Sequence, residues 1–221
     1  MAKSVHLRKR LLAVLAFATA PMILSACEQS HHARIRMTAV IEQDGVQYSA
    51  SGVQEYDCRQ STHIMNDFGG CHNRGEALVI PTKSGGPLFV LFRKAMDSDG
   101  AAEAVLGAAT SDPYSADNSN LPDHWRLEPS QFPLVVRFDS LKDPLSVKEV
   151  NPQDLSADFG PDARFISIDI KKTDEPLSYG SVSKVIPWIN SSKNLFYIDG
   201  VEELHGISQR LSQYDFVSKD D

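Results

Sequence analysis

An antiparallel, β-rich α+β single domain, sandwich-like or built on a highly curved sheet, with two short helices, is the fold class that the sequence predicts. Three observations carry it. Polar and apolar residues alternate with period two in segments 34–42 and 164–171, Asp-Gly and Gly-Gly pairs punctuate short β-forming runs, and only two stretches carry a helical signature. A pure β-sandwich is the runner-up.

Along the chain, Ile35, Met37, Ala39 and Ile41 alternate with Arg34, Arg36, Thr38 and Glu42, which is a half-buried strand. Asp44-Gly45 supplies a hairpin turn into a second strand over 46–56, with Val46, Tyr48 and Ala50 on one face and Gly52 read as a bulge or bend. Segments 76–80 and 88–92 form a second hairpin around Gly85-Gly86. Residues 97–110 are alanine-rich and compatible with one short helix whose Glu103 faces outward. Residues 111–130 contain Pro113, Pro122 and Pro129 without periodicity and read as a long loop anchored by Trp125. A strand follows at 134–138. Asn151-Pro152-Gln153-Asp154 reads as a helix start that Gly160-Pro161 closes. In 164–171, Ile166, Ile168 and Ile170 share the buried face. Segment 183–189 reads as an edge strand because of Pro187, and 195–198 as a last short strand.

The chain has 221 residues, with 22 Lys+Arg against 29 Asp+Glu. Its first 26 residues hold Lys3, Arg8, Lys9 and Arg10 and no acid, so the remainder carries 18 basic against 29 acidic groups, net −11. A surface of that sign repels phosphate backbones and excludes nucleic acid as a partner. The pairs Arg34 with Arg36 and Lys171 with Lys172 fall on strands, where a solvated face explains them.

The basic start is followed by an apolar run over 11–24, interrupted by Pro21, and then by Ser25, Ala26 and Cys27. That run is shorter than the ~20 residues of a membrane span and has the layout of an export signal. Leu24-Ser25-Ala26-Cys27 resembles a bacterial lipobox. The resemblance implies a lipoprotein signal peptide over 1–26, a diacylglycerol thioether and acyl chain on Cys27, and a membrane partner reached through that lipid. It also implies a bacterial cell-envelope location with the domain in the periplasm. Glu28, where retained lipoproteins carry Asp, resembles the outer-membrane-sorted kind and points to the inner leaflet of that membrane. Residues 27–33 are then an acylated N-terminus and tether, 34–211 the β-rich domain, and 212–221 an acidic, frayed tail.

With Cys27 acylated, Cys58 and Cys71 remain, and an even count in an oxidising compartment reads as one disulfide stapling a polar loop. Metal binding is the rival, because His63 and His72 lie nearby. Neither spacing matches a structural zinc site and there is no CxxC, so no metal and no cofactor is expected.

The segments Gly86-Pro87-Leu88-Phe89, 138–147, Asn151-Pro152-Gln153-Asp154-Leu155, Phe159-Gly160-Pro161 and Pro187-Trp188-Ile189 resemble a pattern recurring in uncharacterised, hypothetical bacterial proteins. The resemblance spans about 34–204 and implies a shared fold with no assigned activity. No catalytic residue carries over. Asp139, Asp143, Asp154 and Asp158 with His124 and His205 are the raw material for a hydrolase or metal site. However, GxSxG, HExxH, Walker A, GxGxxG and calcium-loop spacings are all absent. Asp143 and Asp154 are better explained by turns and caps. The expectation is a non-enzymatic binding or structural module that meets an envelope protein or cell-wall component. The alternative is a small envelope hydrolase or metal-binding protein using Asp and His side chains, so enzymatic activity stays open.

Overall fold

The computed structural model of the chain describes residues 29–63, 66–94, 100–191, 196 and 207–219. The expected signal segment, Cys27 and His205 lie outside the described residues. Among those described, ten antiparallel strands form two sheets and three helices are short, giving one mostly-β domain.

The strands are β1 (Gln29–Gln43), β2 (Val46–His63), β3 (Asn66–Glu76), β4 (Leu78–Ile80), β5 (Leu88–Lys94), β6 (His124–Arg126), β7 (Pro133–Phe138), β8 (Val147–Glu149), β9 (Arg164–Lys172) and β10 (Val217–Ser218). The helices are α1 (Ala101–Gly107), α2 (Ser156–Phe159) and α3 (Ser181–Val185). One sheet has the order β10-β3-β2-β1-β9-β6 and the other β4-β5-β7-β8.

The alternation of β1 does what its period demands: Ala33, Ile35, Met37, Ala39 and Ile41 are all buried. Asp44 and Gly45 both take positive φ, 52° and 72°, as a two-residue hairpin turn matched to strand twist requires. Pairing then runs unbroken from Gln43↔Val46 to Gln29↔Gln60. Two expectations change. The described part of the supposed tether, 29–33, is strand, because its backbone finds partners in 56–60 of β2. Gly52 is not a bulge. It pairs in register with Met37, and its missing side chain makes room for Leu78, whose Cδ2 would lie 2.9 Å from a Cβ there.

The segment read as a stapled loop is the β2–β3 hairpin, paired from Glu55↔Arg74 to His63↔Asn66. Cys58 and Cys71 stand directly opposite one another in it and are disulfide-bonded, with Cα atoms 4.0 Å apart.

Two clusters of buried side chains organise the interior. In the first, Ile35, Met37, Ile168 and Ile170 of the six-stranded sheet meet Leu88, Val90 and Val135 of the four-stranded sheet, with Val105 and Leu106 of α1. In the second, the opposite face of the four-stranded sheet, with Phe89, Leu91, Val136 and Phe138, meets Val182, Ile186, Phe196 and Phe216. The run Leu-Phe-Val-Leu-Phe at the start of β5 is apolar at every position because this strand is covered on both faces.

Several elements depart from expectation for identifiable reasons. The 97–110 helix is only α1, and its Ala102, Ala104, Val105 and Leu106 are buried. The 111–130 loop holds 3-10 turns at Pro113–Ser115 and Pro129–Gln131 around β6; single anchors, not periodicity, fix it, with the Trp125 indole N–H donating to the Val105 carbonyl at 3.0 Å. Asn151 makes a local turn by accepting from the Gln153 N–H, and the helix begins only after Asp154, whose carboxylate accepts from the Ser156 N–H.

Segment 183–189 is α3 followed by a 3-10 turn at Pro187–Asn190, not an edge strand. The deciding group is distant in sequence. The buried carboxylate of Glu76 accepts from the backbone N–H groups of Gly180 (2.8 Å), Ser181 (2.9 Å) and Val182 (3.3 Å), the donors a helix start leaves unpaired. Of the proposed strand at 195–198, only Phe196 is among the described residues.

The first part of the tail is docked, through Ser218. β10 pairs with Gly75 and Glu76, and the Phe216 ring packs against Phe89, Phe138 and Phe196 at centroid separations of 5.8, 5.9 and 5.5 Å. Burying one such ring contributes about 2 to 3 kcal/mol, which outweighs the charge of its neighbours.

Candidate functional site

A slip of one residue in β9 lies at the edge of a concave site. Val40 pairs with Ser167 but Ile41 pairs with Phe165, leaving Ile166 as an extra, bulged residue. The bulge resets which side chains face inward. Ile168 and Ile170 are buried, Phe165 turns inward to pack on Phe132 at 5.3 Å, and Ile166, expected on the buried face, is 39% exposed.

β6 follows β9 only from His124↔Lys171 to Arg126↔Asp169, with a last bond from the Leu127 N–H to the Ile168 carbonyl. The chain then leaves through the 3-10 turn at Pro129–Gln131, held by a capping box between Glu128 and Gln131. A groove of about 770 Å³ opens between 126–130 and 164–167, with Phe132, Pro152 and Gln153 completing its lining. That volume and the mixture of aromatic, aliphatic and a few charged groups suit a ligand site.

Two arginines mark the groove. Arg126 Nε donates to Asp169 Oδ1 at 2.7 Å, and Arg164 Nη2 donates to Glu42 Oε1 at 2.6 Å. Both guanidinium side chains are more than 60% exposed while Asp169 and Glu42 sit lower, at 23% and 19%, so a visitor meets the cations first. Each guanidinium keeps further N–H donors beyond these bonds. Burial pushes the Asp169 carboxyl upward, but hydrogen bonds from Arg126 and Ser167 and the charges of Arg126 and His124 hold it below the usual carboxylate value. The lining brings together the hydroxyls of Ser130 and Ser167 and the guanidiniums of Arg126 and Arg164, groups able to hold a ligand by hydrogen bonds.

Among the described residues, the acids and histidines singled out by sequence do not converge. Asp139 and Asp158 share Arg137, at 2.6 and 2.7 Å, and Asp139 also pairs with Lys148 at 2.6 Å; the Lys148 and Arg137 hydrogen bonds hold the Asp139 pKa low. Asp143 accepts from the Leu145 N–H, and Asp154 accepts from Ser156, so both serve turns. His124 is exposed, 3.7 Å from Asp169. His72 is exposed on β3, the His63 side chain is outside what is described, and no group of three or more His, Cys, Asp or Glu among the described residues is arranged to hold a metal ion.

A charged cluster was not anticipated. Glu55 of β2 is fully buried, and its carboxylate takes Arg34 Nε at 2.7 Å, His32 Nε2 at 2.8 Å and the Arg74 guanidinium from neighbouring strands. Burial, then the charges of Arg34 and Arg74, lower the His32 pKa against the opposing pull of Asp57. Against the Glu55 carboxylate, which only accepts, His32 Nε2 is the donor. The cross-strand row Arg34, Glu55, Arg74 follows from the strand registers, which sequence alone does not supply.

In comparison with known proteins, no family model, curated protein or solved structure matches the chain.

Proposed function

We propose that the chain is a lipid-anchored protein of the bacterial cell envelope whose β domain is a non-enzymatic binding module, with the bulge groove of β9 as its binding site. The lipobox-like Leu24-Ser25-Ala26-Cys27 supports the anchor on Cys27, and two or more acyl chains there make attachment stable. The pairing of Cys58 with Cys71 agrees with an oxidising compartment such as the periplasm. On this reading the two sheets stack sandwich-like, and the groove lies where the second wall leaves the sheet.

The observation that carries the proposal is the groove itself: about 770 Å³ around an exposed, bulged Ile166 between two arginines. A protein that needed only to fill space would bury that isoleucine. The partner is an envelope protein or cell-wall component that reaches the groove. A photo-crosslinking amino acid at Ile166, irradiated in intact cells, yields a discrete adduct that a crosslinker at the exposed Tyr179 does not. Equal adducts from both positions, or none at Ile166, overturn the assignment of the groove.

A further inference from the structure

We infer that the groove takes an extended, carboxylate-bearing peptide, which adds a short strand to the open edge of β9; this rests on the groove being the binding site.

The edge is the first argument. β9 is paired with β1 from Arg164 to Lys172 except at the bulged Ile166, but on its other side β6 covers it only down to Ile168. Beside Arg164–Ser167, no described strand takes the position that β6 would occupy if it continued. Strand edges are otherwise protected by pairing, shortness or charge. Here an uncovered edge, an apolar bulge residue and a ready cavity coincide. A polypeptide in extended conformation satisfies such an edge with its own backbone and places alternate side chains on the wall, the mode of recognition called β-augmentation.

The arginines supply the chemistry of those side chains. Arg126 stands opposite Asp169, and Arg164 lies five residues further along β9, so the two are separated by roughly 16 Å along the strand at ~3.3 Å per residue. That is the reach of a strand of about five residues, with a cation near each end. Carboxylates on the incoming peptide match the remaining guanidinium donors in charge-assisted pairs. Glu128, the acid in the lining, is tied to Gln131 through its backbone N–H and carbonyl; because side chains alternate along an extended peptide, its carboxylates take the exposed face that Arg126, Ile166 and Arg164 share, and the apolar positions between them point to the other face, toward Phe132 and Phe165 in the lining.

The test uses the full-length protein in detergent and a capped, fluorescent hexapeptide of alternating Glu and Val, read by anisotropy. The account expects saturable binding, at least tenfold weaker for the matching Lys–Val peptide and at least tenfold weaker for the R126Q/R164Q double variant, whose near-UV spectrum is unchanged. Two N-methylated peptides carry the backbone argument. Methylating the Glu amides or the Val amides blocks opposite edges of one strand, so one pattern abolishes binding and the other leaves it intact. Equal binding of the acidic and basic peptides, or equal effects of both methylation patterns, overturns the inference. If neither peptide binds while the Ile166 crosslink still forms, the peptide assignment falls and the groove stands. If the crosslink also fails, both fall. Concentration-dependent self-association abolished by I166R identifies a second copy as the occupant and likewise overturns it.

Discussion

Replacing Glu55 with Gln removes one charge at nearly constant volume from a fully buried position. Three basic side chains close over that carboxylate, so the substitution leaves Arg34 and Arg74 close together without their shared counter-charge. Removing one partner of a buried ion pair costs about 3 to 5 kcal/mol. Arg34 and Arg74 keep 30% and 24% of their side-chain surface in water, which screens them, and Gln retains one acceptor oxygen. The expected loss is therefore near the low end, about 3 kcal/mol, or a fall in Tm of roughly 6 to 12 °C for a domain of this size. Equilibrium urea denaturation of wild type and E55Q reads it through Trp125 and Trp188, each anchored by an indole N–H bond to a backbone carbonyl. A loss below about 1 kcal/mol refutes the idea that this cluster holds β1, β2 and β3 in register, because that is the scale of an exposed pair.

Two further outcomes follow from the same sheet. His32 has a folded-state pKa below its ordinary 6.5, so protons bind the unfolded chain more readily; its contribution to stability is complete above pH 6.5 and declines as the pH falls below it. The pH dependence of Tm is therefore shallower in H32Q than in wild type on the acid side, and superimposable profiles contradict the assignment. Reduction of Cys58–Cys71 adds the mass of two hydrogen atoms to the intact protein, and the C58A/C71A variant unfolds with about 3 kcal/mol less stability on the chain-entropy account of a 13-residue separation. An unchanged mass on reduction rules out the bond.

Where the chain announces structure locally, sequence reasoning reaches it. The alternation of β1, the Asp44-Gly45 turn, the apolar run of β5 and the pairing of Cys58 with Cys71 depend on near neighbours or on simple counting. Where a distant group decides, it does not. The start of α3 hangs on Glu76, about a hundred residues away, and β6 is ordered by Trp125 reaching Val105 rather than by any period. The candidate site is the sharpest case. Ile166, Ile168 and Ile170 read as one face, and a single slipped pair against Val40 and Ile41 sends the first of them to solvent at the edge of the groove. The walls of that groove come from segments far apart in the chain, so Arg126 and Arg164 carry no shared local signature. Glu55 is hidden for a similar reason: its partners are neighbours only once two strand registers are set.

The proposed attachment of lipid to Cys27 is the premise on which the proposed compartment and the proposed setting of the groove both rest. Growth of expressing cells with radiolabelled palmitate, followed by immunoprecipitation of wild type and C27S, measures it directly. The account predicts label on the wild-type protein in the membrane fraction and none on C27S. An unlabelled wild-type protein, or one retained in the cytosol with its leader uncut, contradicts it.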